Sequence, residues 1–470
     1  MTDKTTTPQV PDDKPRFSLG GSQTFLSSWG ERQNPTVRRF IMFGFGALFL
    51  LSVVRVVTDS PELTSSGTFG SALRLAVPIM LAGLGGIYAE RTGVVNIGLE
   101  GMMILGTWFG AWGGFQYGIW WGALIGLIGG AMGGLLHAVA TVTFNVDHIV
   151  SGVAINLLGL GGMRYLSVIS YPPGSGGGAT QSPTISGSIP KVDVPFLTGG
   201  ELFGWQTPDL FGWVESQGWF LVSDIGGLLK GFFGDLSVLI ILCVALVPLT
   251  WFFLWKTPLG LSIRSVGEKP VASESLGVNV YKMKYIGVVI SGALAGLGGA
   301  VLVIEFANIY REGQAGGRGF IGLAAMIVGN WRPVGTFAAA LLFGFADALQ
   351  LRSEAAIHAL LLFVAIALFL VAARAMSRQF GMLKGYAPAP APVVPEGAPW
   401  TTRYRFLIQA VIVGAIGATV LAWFLISETV PSEFVFFTPH ITTLVVMSIA
   451  SQRLRMPAAD GQPYRKGEAM

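Results

Sequence analysis

The stretch ERTGVVNIGLEG, residues 90–101, decides the reading of this chain. It sets Glu90, Arg91, Asn96 and Glu100 between two long apolar runs, Gly70 to Ala89 before it and Met102 to Trp112 after it. An ionisable group inside a bilayer costs at least a few kcal/mol, so such groups turn toward a protein interior or a water-filled path. The glycines at 93, 98 and 101 predict a helix that breaks here, which backbone facing lipid could not sustain. The pattern is that of a pathway through a membrane protein.

Composition points the same way. Of 470 residues, 52% are hydrophobic and 12% are charged, against roughly 25% charged in a soluble domain. The 65 glycines are spread through the apolar runs, where small residues let membrane helices approach closely. The one cysteine, Cys243, sits in an apolar run and excludes an internal disulfide framework. The first apolar run begins near Phe40 behind a long polar arm, so signal-peptide cleavage is not expected. That arm, 1–36, is rich in Thr, Pro and charge and is expected to be a disordered cytoplasmic segment.

Runs long enough to cross about 30 Å of hydrocarbon as helix fall at 40–57, 70–89, 117–140, 149–169, 237–255, 284–304, 334–351, 356–373, 406–426 and 434–450. Shorter apolar pieces at 94–112 and 319–330 are full spans or broken, re-entrant ones. The expected fold is therefore an all-α polytopic transmembrane helix bundle of about 10–12 spans, with broken or re-entrant helices near its centre. Lys and Arg set its orientation, because short cytoplasmic loops are enriched in them. They gather beside the first span (Arg38, Arg39), in 256–283 (Lys256, Arg264, Lys269, Lys282), in 374–405 (Arg374, Arg378, Lys384, Arg403, Arg405) and in the tail (Arg453, Arg455, Arg465, Lys466). Segment 171–236 has only Lys191 and Lys230 among its carboxylates, and 58–69 has neither Lys nor Arg. Both termini are thus expected to be cytoplasmic and 171–236 extracytoplasmic, in a cell (inner or cytoplasmic) membrane. The net charge of +4 reflects this asymmetry and not a nucleic-acid footprint.

Segment 171–236 opens with YPPGSGGGATQSP and continues with Trp205, Trp213 and Trp219. It is either a loop folded onto the outer surface or a platform for an extracytoplasmic partner. Gly122, Gly126, Gly130 and Gly134 recur every fourth residue on one helix face, a packing seam. Span 356–373, AIHALLLFVAIALFLVAA, has no glycine and is expected at the bundle's edge, facing lipid.

No nucleotide-hydrolysing motif is present. SVGEKPVAS, 265–273, lacks the GxxxxGK[ST] arrangement that cradles phosphates. His137, His148, His358 and His440 have no metal-ligand spacing and read as packing or helix-end residues. Segment 256–283 is different. It mixes charge, small residues and a helix-compatible centre at Pro270 to Leu276. It is either a solvated connection or a short helix docking into a cytoplasmic partner.

GLSIRSVGEKPVASESLGVNVYKMKY, 260–285, resembles the coupling loop of permease subunits in ATP-binding-cassette importers, in the branch handling nucleosides, simple sugars and branched-chain amino acids. ERTGVVNIGLEGMMILG is similar to the signature of the nucleoside and simple-sugar permeases of that branch. SGALAGLGGAVLVIEF, GGRGFIGLAAMIVGNWRPVGTFAAALLFGFADALQ and the tail PHITTLVVMSIASQRLRMPAADGQPYRKGE match in the same order. Together the matches cover most of 70–350 and 431–468. Segment 171–236 is longer than the resemblance leads one to expect, and 353–430 reads as an inserted pair of helices around APAPAPVVPEGAPW. The permease core then spans 37–352, with the last core helix and basic cytoplasmic tail at 431–470.

The resemblance implies a permease subunit paired with a second permease, a paralogue or an identical copy. It implies an ABC ATPase below, carrying ATP and magnesium, and an extracytoplasmic substrate-binding lipoprotein above. The chain itself is then no enzyme and holds no cofactor or metal. For coupling, the resemblance points to Arg264, Gly267, Glu268, Ala272, Leu276 and Gly277: Ala272 and Leu276 as an apolar knob, Arg264 and Glu268 orienting it, Gly267 and Gly277 ending the short helix. For the pathway, Asn96 and Glu100 share a face if their piece is helical. Glu90, Arg91 and Glu100 either line the path or pair with one another. Asn156 faces the path or a neighbour, and Glu305 is a gate or a solvated cap. Two other readings compete with an ATP-driven importer of nucleosides or simple sugars. One is an ion-gradient-driven secondary transporter of similar solutes. The other is a membrane enzyme using Glu90 or Glu100 as general base.

Overall fold

The computed structural model describes residues 35–171, 174, 176–202, 204–352, 354–380, 399–450 and 454–467. The polar arm, apart from a helix already begun at Pro35, and the Pro/Ala-rich linker after Phe380 lie outside the described residues. The chain divides into two units, Met1–Phe49 and Leu50–Met470, and helix α1 (Pro35–Thr58) runs across their boundary.

In the second unit almost every described residue between loops is helical. The long helices are α2 (Ser66–Glu90), α3 (Leu99–Tyr117), α4 (Ile119–Ala138, extended by a π turn Val139–Thr143) and α5 (His148–Ser170). Two short helices, α6 (Leu210–Ser216) and α7 (Val222–Phe233), precede α8 (Val238–Lys256). Then come α9 (Pro258–Glu268), α10 (Pro270–Ser275), α11 (Val280–Val301, extended by a π turn Leu302–Ala307) and α12 (Arg318–Val328). The last are α13 (Pro333–Arg352), α14 (Glu354–Phe380), α15 (Arg405–Ile426) and α16 (Ser432–Ala450). Among the described residues eight helices are long and apolar enough to cross a membrane, so the chain is a multi-pass, all-α membrane protein.

Local chemistry sets the helix ends. Ser65 accepts the Thr68 N–H at 3.2 Å, Asp147 those of Ile149 and Val150 at 2.9 and 3.1 Å, and Asn279 that of Lys282 at 3.0 Å. Each satisfies a donor that the first helical turn leaves free. Gly118, at φ +96°, turns the chain from α3 directly into α4.

Helix α2 is the axis of the unit and almost wholly buried. Around it α3, α4 and α11 close on a seam of glycines. A Cβ on Gly130 would strike the Gly292 carbonyl, and one on Gly106 the Gly296 carbonyl; one on Gly134 would come within 2.6 Å of the Val288 carbonyl. The glycine repeat of α4 thus meets a matching repeat on α11, backbone against backbone. Without a hydrophobic driving force between helices in lipid, this close packing is what brings them together.

Segment 171–236 is not merely coil. Strands Lys191–Val192 and Leu236–Ser237 pair antiparallel, as do Glu201–Leu202 and Trp205–Gln206. These two small ladders are a minor departure from the all-α expectation. Helix α7 lies on the first turns of α2, where Gly231 fits against Phe69 and Ser66. Asp224 anchors it, accepting hydroxyl protons from Ser52 (2.5 Å) and Thr64 and pairing with Arg55 at 3.0 Å. Trp205, Trp213 and Trp219 remain exposed. Helices α14 and α15 pack on each other, and α15 is the least buried long apolar helix. His358 and Phe424 stack across this pair at 4.7 Å.

Candidate functional site

Helix α2 stops at Glu90 and helix begins again at Leu99, leaving an elbow of extended and turn backbone from Arg91 to Gly98. Gly93 adopts φ +81°, which a residue with a Cβ rarely adopts. The elbow's polar groups are gripped from several sides. The Val95 N–H donates to His148 Nδ1 at 3.2 Å, and its carbonyl stands 3.0 Å from His137 Nε2. Asn156 accepts the Gly101 N–H at 2.7 Å and donates to the Ile97 carbonyl at 3.3 Å. Two histidines read from sequence as packing residues therefore hold the break open. Their signal in the sequence is only a histidine near a helix end, too common to single out.

The condition for Asn96 and Glu100 to share one helical face is not met, because helix starts only at Leu99. Asn96 is fully buried and donates to Ser291 Oγ on α11 at 2.9 Å. Glu100 turns instead to the start of α12, where its carboxylate accepts the Gly317 and Gly319 N–H groups at 2.9 and 2.7 Å. Beside it, Arg318 pairs with Asp347 of α13 at 2.6 Å. A carboxylate over free N–H groups at the positive end of a helix is a favourable cap.

Glu90, Arg91 and Glu100 do not pair with one another among the described residues. Glu90 is buried and accepts the indole N–H of Trp331 at 2.5 Å. Arg91 donates to the Trp331 carbonyl at 3.2 Å, lies over the Trp255 ring and reaches Glu268 at 3.7 Å. That ion pair joins the two sets of residues singled out in the sequence, pathway and coupling. Glu305 lies far from both, accepts the Ser237 hydroxyl and lines an open cavity of about 360 Å³ with Arg74, Lys191, Asp235 and Arg352.

The coupling set sits on α9 and α10. Arg264 donates to the Leu254 carbonyl at 2.9 Å and, like Arg91, lies against the Trp255 ring. Ala272 is exposed and Leu276 is 85% exposed, the most exposed large hydrophobic residue described. Gly277, at φ +83°, ends α10 in the left-handed conformation usual after a helix. Gly267 has another task. It is the last residue but one of α9, just before the break that precedes α10, and a Cβ there would strike the Arg91 carbonyl. Its lack of a side chain lets α9 touch the elbow. The tail was not foreseen here: 454–467 returns to this end, with the Ala459 N–H donating to the Gly267 carbonyl at 2.9 Å. Burial pushes the Asp460 carboxyl up to about 6.

The chain is 40% identical over 288 residues to the guanosine ABC transporter permease protein NupQ of Bacillus subtilis (strain 168), covering 60% of this chain and 81% of that one. It is 34% identical to the nucleoside ABC transporter permease protein NupC of Lactococcus lactis subsp. cremoris (strain MG1363), over 57% of this chain and 77% of the relative. It also matches a second Bacillus subtilis protein, the guanosine ABC transporter permease protein NupP, at 24% identity over 66% and 83%. No solved structure matches. The family described as branched-chain amino acid transport system / permease component matches residues 68–373, which take in the elbow, the glycine seam and the α9–α10 turn. With that match and the similarity to NupQ, the chain belongs to this permease family.

Proposed function

We propose that the chain is a transmembrane subunit of an ATP-driven importer of nucleosides, with simple sugars as the neighbouring substrate class. The observation that carries the reading is α10: an apolar tip, Leu276 with Ala272, exposed on an otherwise polar segment directly beside the helix break. Leu276, directly after α10 and projecting into solvent, suits an apolar groove in another protein. The chain has no nucleotide-binding motif, so ATP and magnesium belong to a separate ATPase seated on α10.

The basic segments beside α1, in 256–283 and in the tail put the termini and α10 on the cytoplasmic side. Segment 171–236 then faces outward and receives a substrate-binding lipoprotein. NupQ and NupP, two related permeases in one bacterium, favour a paralogue as the second permease here. Helix α12, with eleven residues, is about 16 Å long. That is half the hydrocarbon thickness, as a re-entrant segment requires. The elbow and α12 form the inner part of the path, and partner binding energy shifts the bundle between its two accesses.

The test is uptake of radiolabelled uridine, guanosine and ribose by cells expressing the importer's subunits together, with an ATPase-dead control. Nucleoside uptake lost with the dead ATPase is expected. Uptake that survives it and collapses with the ion gradient overturns the reading in favour of a secondary transporter.

A further inference from the structure

The tail segment 454–467 touches α9, α10, α11, the elbow and the turn between α12 and α13. The Arg455 N–H donates to Asn330 Oδ1 at 2.8 Å, in the turn between α12 and α13. The Ala459 N–H donates to the Gly267 carbonyl of α9, and the Ala458 N–H to Glu268 at 3.4 Å. Gly93 of the elbow leaves room for the Ala459 carbonyl, which a Cβ there would approach to 2.9 Å. The Tyr464 hydroxyl donates to Glu274 of α10 at 2.6 Å, and its ring meets that of Tyr281 on α11 edge-on at 5.4 Å. Ala459 and Tyr464 are 4% exposed, as buried as core residues.

A chain end stays frayed unless it is tied down. This segment is tied at three places, to the turn after α12 by Arg455, to the elbow and α9 by Ala459 and to α10 by Tyr464. Helix α10 has six residues, of which only Pro270 and Ser273 are buried while Ala272 and Ser275 are exposed, so a single narrow face of it packs inward. The strap adds a link inward through fixed hydrogen bonds. We propose that 454–467 is a coupling element: Tyr464 takes up movement of α10, and Ala459 delivers it to the Gly93 elbow and thereby to Glu90 and Asn96. The inference rests on α10 being the ATPase seat. In this role Tyr464 and Ala459 are positioning residues, touching neither nucleotide nor solute.

The experiment uses the whole importer in proteoliposomes, with Tyr464→Phe and with the chain ended after Arg453. ATP hydrolysis, solute uptake and co-purification of the ATPase are measured together. Tyr464→Phe removes one hydrogen bond to a carboxylate and keeps the ring. It is expected to leave assembly and basal hydrolysis intact and to lower solute moved per ATP by about fivefold; the truncation lowers it further. An unchanged ratio in both variants overturns the strap's role while leaving the importer standing. Loss of assembly in Tyr464→Phe makes the contact merely structural and also overturns it. Wild-type vesicles without ATP-dependent uptake overturn the importer reading itself, and this inference with it.

Discussion

The Glu90 carboxylate at the end of α2 accepts the indole N–H of Trp331, 241 positions away in the chain, at 2.5 Å. Trp331 also offers its carbonyl to Arg91. One residue in the turn after α12 thus holds both neighbouring charges at the break in α2. Trp331→Phe keeps most of the ring and removes the donor from a buried carboxylate. The expected cost is about 1–3 kcal/mol, read as a lower melting temperature of the purified protein. Equal stability of variant and wild type would dismiss the contact as incidental.

Glu100 caps the start of α12 with both oxygens on backbone N–H groups, so it is already occupied. Glu100→Ala should destabilise by about 1 kcal/mol or more. Glu100→Gln retains one acceptor and should preserve part of that stability. Neither change should alter the apparent KM for uptake, whereas both lower kcat. A KM shift with stability unchanged would instead put Glu100 in contact with the solute.

At the glycine seam there is no room for a side chain. Gly130→Leu would drive a branched side chain into the Gly292 backbone, and overpacking of this kind costs about 1–3 kcal/mol or more. Loss of the monodisperse peak in size-exclusion chromatography is the expected result. Gly162, whose Cβ would meet open space, should accept leucine without loss and serves as the control.

Strap docking should depend on pH through Asp460. Its carboxyl, packed near Glu90, Arg91 and Lys284, is raised by burial from an ordinary 3.8 to about 6. The docked strap therefore holds a proton that the free strap releases. Docking is strongest below about pH 4, weakens as pH rises through 6, and levels off above it. Exchange of the Ala459 amide, corrected for its intrinsic rate, should be slower at about pH 5 than at pH 8. Asp460→Asn should abolish the difference; a difference that persists in that variant assigns it to another group.

The positions of the helices were legible because hydrophobic length and glycine spacing are local properties of the chain, and among the described residues eight of them are long and apolar enough to cross a membrane. All twelve apolar stretches appear as helices, including the two short pieces, which became α3 and α12. The helix break was legible from glycines set among charges. The partners of those charges were not. Asn96 and Glu100 share a spacing that suggests one face, yet they bond to α11 and α12, because Asn96 lies outside the helix, with Ile97 and Gly98 between it and the first helical residue. Gly267 read from sequence as helix punctuation, and its second task, clearance for the elbow, left no sequence signal.

By itself the sequence determined that this chain is an apolar helical bundle, where its helices lie, and that charge is concentrated at a break in one of them. A run of apolar residues has little choice but helix in a bilayer, since every backbone N–H must be satisfied within the segment. Only the tertiary structure decided that Trp331 holds Glu90, that two histidines grip Val95, and that the tail returns to bind Gly267 and Glu274. Each of those contacts joins residues distant in the chain through a single hydrogen bond. Hydrogen-bond partners at that separation leave no periodicity to read; packing of the whole bundle is what brings them within reach.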